Sequence, residues 1–204
     1  MKTLDFWFDP ASTYSYLTAM RIDDVAQAAG VKVRWRPFLL GPIFKAQGLD
    51  NSPFRIYPTK GRHMWRDMQR QAKALGIPLK IPGDDEMAGF PRNSLLAART
   101  AAVALDEPWG RDFVRQVYKA QFGDWQDIGD PAVIAAILES LGRDARAVLE
   151  QAQSDANKAQ LRANTEEAAA LGIFGAPSFT IGQELFWGND RLEQALAFAR
   201  DEAA

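Results

Sequence analysis

Apolar and polar positions change their period several times along the chain, and each change predicts a different element. Thr3 to Phe8 is a short aromatic run that reads as a buried strand, closed by Asp9-Pro10-Ala11-Ser12-Thr13. From Tyr14 the spacing turns helical. Tyr14, Leu17, Ile22, Val25, Ala26 and Ala29 fall on one face, and Gly30 supplies the stop. Val31 to Phe38 (VKVRWRPF) alternates with period two and reads as a second strand. Strand, helix and strand in such close succession form a βαβ unit, which predicts parallel strands joined by a right-handed crossover.

The middle of the chain has a different rhythm. A Gly/Pro/Asn-bearing loop over 41–58 leads into helical spacing at about 59–75, 92–106, 109–122 and 131–141. The last of these is well punctuated, with Asp130 as N-cap, Pro131 at the first helical position, apolar Ile134, Ile137, Leu138 and Leu141, then Gly142. Helical spacing resumes at Asp144 and runs to Leu171, divided by the polar stretch Gln153 to Asn157. A turn-rich hinge, Gly172 to Pro177, then precedes two short strands, Ser178 to Ile181 and Glu184 to Trp187, with Gly182-Gln183 as the hairpin turn. A final helix is expected from Asn189-Asp190, with Glu193 as the capping-box partner of Asp190. The order βαβ, helices, ββα predicts an α/β fold. Residues 1–40 and 172–204 build one mixed four-stranded sheet, and a large all-helical insertion, 41–171, sits inside a single unit of 1–204.

Composition narrows the chemistry. The 204 residues are 47% hydrophobic and 25% charged, ordinary for a globular protein and unlike collagen, coiled coil or a disordered chain. A chain of this length buries about 70% of its unfolded surface, so it needs neither disulfides nor a metal to fold. A formal net charge of −2 lacks the basic excess of a nucleic-acid binder. There is no cysteine, which excludes disulfide scaffolds, zinc ribbons, thiol nucleophiles and CxxC redox pairs. The one histidine, His63, excludes multi-histidine metal sites, and any Ser-His-Asp triad would have to use it. Asp5 and Asp9 interrupt the apolar N-terminal segment, and no run approaches the ~18 apolar residues of a membrane span, so a cytoplasmic location is expected.

Two places can carry chemistry. Ser12 lies where a strand hands over to a helix, so it either caps that helix or donates a hydrogen bond to an anion at the helix start. Gly175-Ala176-Pro177 precedes a strand, and Pro177 is either a rigid turn or a cis proline that leaves the Ala176 backbone open to an extended peptide. Elsewhere, Arg62, Arg66, Arg70 and Lys73 share one side of the 59–75 helix, a solvated face or a source of positive potential for an anionic ligand. Met64, Trp65, Met68, Ala72 and Leu75 supply its core stripe. The acidic run Asp84-Asp85-Glu86 reads as an exposed loop or a cation site.

These strings add up to a resemblance. Phe8-Asp9-Pro10-Ala11-Ser12-Thr13-Tyr14-Ser15-Tyr16-Leu17, Gly175-Ala176-Pro177-Ser178-Phe179 and Glu184-Leu185-Phe186-Trp187-Gly188-Asn189-Asp190-Arg191-Leu192 resemble the 2-hydroxychromene-2-carboxylate isomerase family. That family is similar to kappa-class glutathione transferases within the thioredoxin-like superfamily. The resemblance spans essentially the whole chain and implies a glutathione cofactor. Ser12 matches the serine that hydrogen-bonds the glutathione sulfur. Asn51 and Lys60 match positions that hold the peptide and its glycine carboxylate. Ala176, before the cis Pro177, matches the backbone partner of the cysteinyl unit, and Asn189 and Asp190 match the residues that receive the γ-glutamyl end. Taken alone, Asn51 also reads as a turn residue, Lys60 as a solvated charge, and Asn189 and Asp190 as helix caps.

The implied activity is isomerisation of 2-hydroxychromene-2-carboxylate and trans-o-hydroxybenzylidenepyruvate in aromatic catabolism, with the aromatic carboxylate substrate between sheet and helices. Transfer of glutathione to an electrophile and a non-catalytic peptide-binding cleft are the alternatives, and a serine hydrolase using Ser12 and His63 is the weakest reading. Thr13 stands where many members have proline, and His63, one turn after Lys60, where tyrosine is frequent. The reading therefore leaves open which hydroxyl serves the sulfur and whether His63 touches a substrate carboxylate. It also leaves open whether the chain forms a homodimer.

Overall fold

The aromatic run Thr3–Phe8 forms β1, a central strand in the computed structural model, which describes residues 3–81, 83 and 89–201. β2 (Lys32–Pro37) pairs with it in parallel, from Thr3 opposite Lys32 to Phe8 opposite Pro37. β3 (Ser178–Ile181) runs antiparallel along the other side of β1, and β4 (Glu184–Trp187) forms an antiparallel hairpin with β3, giving the order β2-β1-β3-β4. In the hairpin turn only Gly182 takes positive φ (59°), the type II′ pattern. This is the mixed four-stranded sheet that the alternation predicts.

The pleat explains why β1 is aromatic throughout. Leu4, Phe6 and Phe8 point to one core, while Trp7 points to the opposite face and packs with Phe38, Ile43, Ala168 and Ile173. Both faces are covered, so no position in the strand's second half is left to water. The Phe6 ring meets Trp35 edge-on at 5.0 Å. Burying Trp7 strands no donor, because its Nε1–H donates to Thr180 Oγ1 at 2.9 Å.

The helix expected from Tyr14 to Ala29 is two helices, α1 (Thr13–Ala19) and α2 (Ile22–Ala29). Apolar spacing runs through the break, and neither glycine nor proline marks it. The cause is tertiary. At Arg21 the backbone leaves helical values (φ −133°), and the guanidinium is held by Glu193 and by the Asn189 carbonyl at 2.8 Å. The 41–58 stretch, expected as a loop, contains α3 (Leu40–Ala46) and α4 (Pro53–Ile56). Pro42 falls in the first turn of α3, where a missing N–H costs no helical hydrogen bond. Ser52 caps α4 by accepting from Phe54 N.

α5 (Pro58–Leu75) buries Met64, Trp65, Met68 and Ala72. Leu75, expected in that stripe, is 42% exposed, since Gly76 in the left-handed conformation ends the helix there. Next come α6 (Leu95–Ala104) and α7 (Gly110–Tyr118), which runs into a π-helical turn, Lys119–Gly123. α8 (Pro131–Ser140), α9 (Ala145–Ala152) and α10 (Asp155–Ala170) follow in the predicted order. Asp130 caps α8 as expected, accepting from Ala132 N, and Ser154 caps α10 within the polar divide. The chain closes on a 3-10 turn, Asn189–Arg191, and α11 (Leu192–Asp201). The expected capping box does not form. Glu193 pairs instead with Arg21, which holds its carboxyl below the usual range. α2 and α11 cover one face of the sheet, and α3 and α10 the other.

The contact of α6 with α7 depends on Gly110, where a Cβ would overlap the Ala104 carbonyl group, which is backbone and cannot swing aside. Gly110→Ala is expected to cost about 3 kcal/mol, lowering the midpoint of thermal unfolding by roughly 9 °C in a chain this long. A melting curve followed by circular dichroism checks this.

Candidate active site

The site begins in the turn after β1. Asp9 is 3% exposed, and its carboxylate accepts from Ala11 N at 2.8 Å, from Leu40 N at 2.8 Å and from the Ser94 hydroxyl. Its backbone carbonyl accepts from Tyr118 Oη at 2.8 Å. Burial pushes the Asp9 carboxyl up and the three donors pull it down; burial is the larger, and the net direction is upward. One side chain thus fastens the end of β1 to the start of α3 and to the segment before α6.

Ser12 follows at φ −80°, ψ 120°, the extended geometry of an N-cap. Its Oγ accepts from Ser15 N at 3.3 Å and donates to the Ala176 carbonyl at 2.9 Å. The hydroxyl therefore caps α1 with a lone pair and keeps its proton on the facing segment. α1 spans only 7 residues, so its field is local, carried by the Thr13 and Tyr14 N–H groups, which have no acceptor among the described residues. Across from Ser12, the Ala176-Pro177 peptide is cis. The Ala176 N–H likewise has no acceptor among the described residues. Gly175 lies against the Trp187 indole, too close for a side chain.

These groups line a cavity of about 1300 Å³. It brings together Ser12, Thr13, Asn51, Lys60, Ala176, Asn189 and Asp190, residues spread over most of the chain. Pro177 is buried behind Ala176 and does not reach the cavity wall. His63 is exposed and outside it, because the position before Met64 on α5 turns away from the core. It meets neither Ser12 nor the cavity wall, so the hydrolase pairing does not form, and of the two readings left open for His63 its place fits an ordinary surface histidine. Arg62, Arg66, Arg70 and Lys73 are exposed and also outside the cavity, a solvated face. The acidic run 84–86 lies outside the described residues.

Several matched residues also do structural work. Asn51 Oδ1 accepts from Ser52 N at 2.7 Å, and Lys60 Nζ lies 5.5 Å from the Tyr57 ring. Asn189 is 5% exposed. Its amide donates to Gln71 Oε1 at 2.8 Å and accepts from Thr18 Oγ1 at 3.0 Å and Arg21 Nε at 3.2 Å. Gln71 in turn donates to Asp67 Oδ2, which also accepts from Tyr14 Oη at 2.9 Å. Burial and the Asp67 carboxylate push the Tyr14 phenol well up, so it stays a donor.

The wall carries the carboxylates Asp9, Asp50, Asp67 and Asp190 and the cations Lys45, Lys60 and Arg92. Phe174 and Trp187, about half exposed and with ring centroids 5.0 Å apart, stand on it as an aromatic pair. Asp67 and Arg92 carry no sequence signal as site residues, and Asp9 carries a single one. The one clue was that Asp9 interrupts a run of buried aromatics just before the cap.

A four-stranded mixed sheet with helices on both faces, a cis proline entering β3 and a cleft at the start of α1 define a thioredoxin-type domain. The chain belongs to the family of DSBA-like thioredoxin domains, whose sequence model matches residues 3–198. Within it the chain stands with the 2-hydroxychromene-2-carboxylate isomerases. It is 31% identical to the one from Sphingobium xenophagum over 192 residues, 94% of this chain and 95% of that protein. The solved structure of a 2-hydroxychromene-2-carboxylate isomerase superposes with a TM-score of 0.83 at 29% identity, covering 98% of both chains. Glutathione S-transferase kappa 1 of Homo sapiens is 29% identical over 201 residues, 94% of this chain and 88% of that protein. The sequence resemblance and the family agree.

Proposed function

We propose that the cavity binds glutathione and that the protein uses it to interconvert 2-hydroxychromene-2-carboxylate and trans-o-hydroxybenzylidenepyruvate. The observation that carries this reading is the pair formed by Ser12 Oγ and the Ala176 carbonyl on the wall of a cavity of about 1300 Å³. Such a volume exceeds the ~300–1,000 Å³ of a site for one drug-sized ligand and suits a tripeptide together with a second molecule.

The residues present fit glutathione. Ala176 offers an N–H and a carbonyl to an extended peptide, Lys60 a cation to its glycine carboxylate, and Asp190 an anion to its γ-glutamyl ammonium group. Asn51 holds the peptide, and Asn189, whose amide is already engaged, shapes the turn that carries Asp190. When bound, glutathione supplies a thiolate that adds reversibly to the conjugated carbon and leaves again, so that the intervening bond rotates while it is single.

A thiol with an ordinary pKa of about 8.5 is mostly protonated at neutral pH. Ser12 answers this by turning its proton from the Ala176 carbonyl to the sulfur once a ligand N–H takes over that carbonyl. The Thr13 and Tyr14 N–H groups add local positive potential. Titrating thiolate absorbance in the complex tests the reading. The thiol pKa is expected to fall by about one unit or more, about 1.4 kcal/mol per unit. An unchanged value overturns it.

The relationship to a kappa-class transferase favours one second reading, conjugation of glutathione to an electrophile. Product analysis separates the two, since isomerisation returns free glutathione and conjugation consumes it. The isomerase reading goes with a cytoplasmic homodimer, and among the described residues no helix is long and apolar enough to cross a membrane.

A further inference from the structure

Arg92 is a cation that the glutathione reading leaves unused. It lines the cavity, yet its side chain is only 14% exposed. Among the described residues its one hydrogen bond runs from Nη2 to the Trp125 carbonyl at 3.2 Å. Its Nε is buried and meets no acceptor among those residues. Among the described residues the carboxylate paired with it is Asp127, which stands at 3.5 Å and is 54% exposed, farther than the ~2.7–2.9 Å of a charge-assisted hydrogen bond and screened by water. A mostly buried guanidinium with so little compensation is costly.

The surroundings hold it in place all the same. The Trp125 indole lies under the guanidinium at 5.0 Å. Trp125 is the one non-glycine residue with positive φ (59°) among the described residues, a strained backbone two residues past the end of the π-helical turn. Local strain and a π-turn thus converge on one under-partnered cation. Two residues on, Ser94 bonds the Asp9 carboxylate, which also holds Ala11 beside Ser12, so the Arg92 segment is tied to the reactive turn. Lys60, matched to the glycine carboxylate of glutathione, sits instead at the start of α5.

We propose that Arg92 is the anion-recognising residue of a second ligand site in the cavity, taking the carboxylate of an aromatic α-keto acid through its planar N–H fork. This rests on the glutathione reading, which accounts for one occupant and leaves room for another. A carboxylate from glutathione is the rival source, and the experiment separates the two.

The test measures binding by titration with benzylidenepyruvate, its methyl ester and glutathione, each alone, to the wild-type protein and to Arg92→Met and Arg92→Lys. Benzylidenepyruvate is expected to bind wild type more tightly than its ester. It should weaken by about 10- to 100-fold in Arg92→Met, the loss of a charge-assisted hydrogen bond, with little recovery in Arg92→Lys. Glutathione affinity is expected to stay within about twofold of wild type, which also reports that the variants are folded. Equal binding of acid and ester to wild type overturns the proposal without any variant. A loss confined to glutathione overturns it too, assigning Arg92 to the tripeptide. Absence of glutathione binding to wild type, with acid binding intact and dependent on Arg92, sinks the cofactor reading and leaves the second site standing.

Discussion

Ser12→Ala should lower isomerase turnover by about 100-fold, the usual loss when one donor to a developing or resident anion is removed. The variant loses the side-chain proton that Ser12 gives to the Ala176 carbonyl at the mouth of α1. It also loses an N-cap, worth about 1 kcal/mol, so the fold survives with a melting point lowered by roughly 3 °C. Affinity for glutathione should change little, because in the proposed reading the contacts to the peptide ends and to the Ala176 backbone are unaltered. The deficit therefore falls on kcat, and the bound thiol should titrate nearer its solution value. Thr13, only 2% exposed and on the same wall, is the control. If Thr13→Val shows the deficit and Ser12→Ala does not, the working hydroxyl is one residue further on. Unchanged turnover in both removes the hydroxyl from the mechanism.

The second large effect lies one turn earlier. Asp9→Ala removes the acceptor for two backbone N–H groups and the Ser94 hydroxyl in a nearly dry site. Each stranded donor costs roughly 1–3 kcal/mol, so a loss of about 4 kcal/mol is expected, or some 12 °C in melting temperature. Asp9→Asn keeps the shape but turns an amide donor toward donors and should recover little. The pH dependence carries a sign. The folded carboxyl titrates above its unfolded value of 3.8, so between the two values the native state holds the extra proton. Stability from this group is therefore full below the unfolded value and is lost as pH rises through the folded one. Denaturant unfolding of wild type and Asp9→Asn across that range should show the wild type losing ground to the variant as pH rises. A difference that is flat or opposite in slope would show that the three donors outweigh burial.

The parts of this fold that the sequence reveals are those set by local rules. β2 is legible because Val33 and Trp35 alternate with Lys32 and Arg34, and α8 because Asp130, Pro131 and Gly142 punctuate it. What escapes is decided by distant contacts. The break between α1 and α2 depends on Arg21 meeting Asn189 and Glu193 from the far end of the chain. α3 hides behind Gly41 and Pro42, breakers by reputation that are harmless in a first turn. Within the site, Ser12, Ala176 and Asp190 belong to strings with recognisable spacing. Asp67 and Arg92 are single charges in unremarkable surroundings, Asp9 shows only as a polar break beside Ser12, and the folded arrangement is what brings all three to one cavity. Asn189 reads as a ligand by position but is mostly spent on Gln71, Thr18 and Arg21, a use that no local pattern announces.

The hydrogen bond from Ser12 to the Ala176 carbonyl works as a latch between the turn after β1 and the segment that enters β3. If the proposed reading holds, a small alkyl mercaptan brings no amide hydrogen to relieve that carbonyl and gains less from the serine than a peptide thiol does. A sulfhydryl carried on a peptide backbone would lift the latch, and the cleft would then favour peptide thiols over simple ones before any substrate arrives.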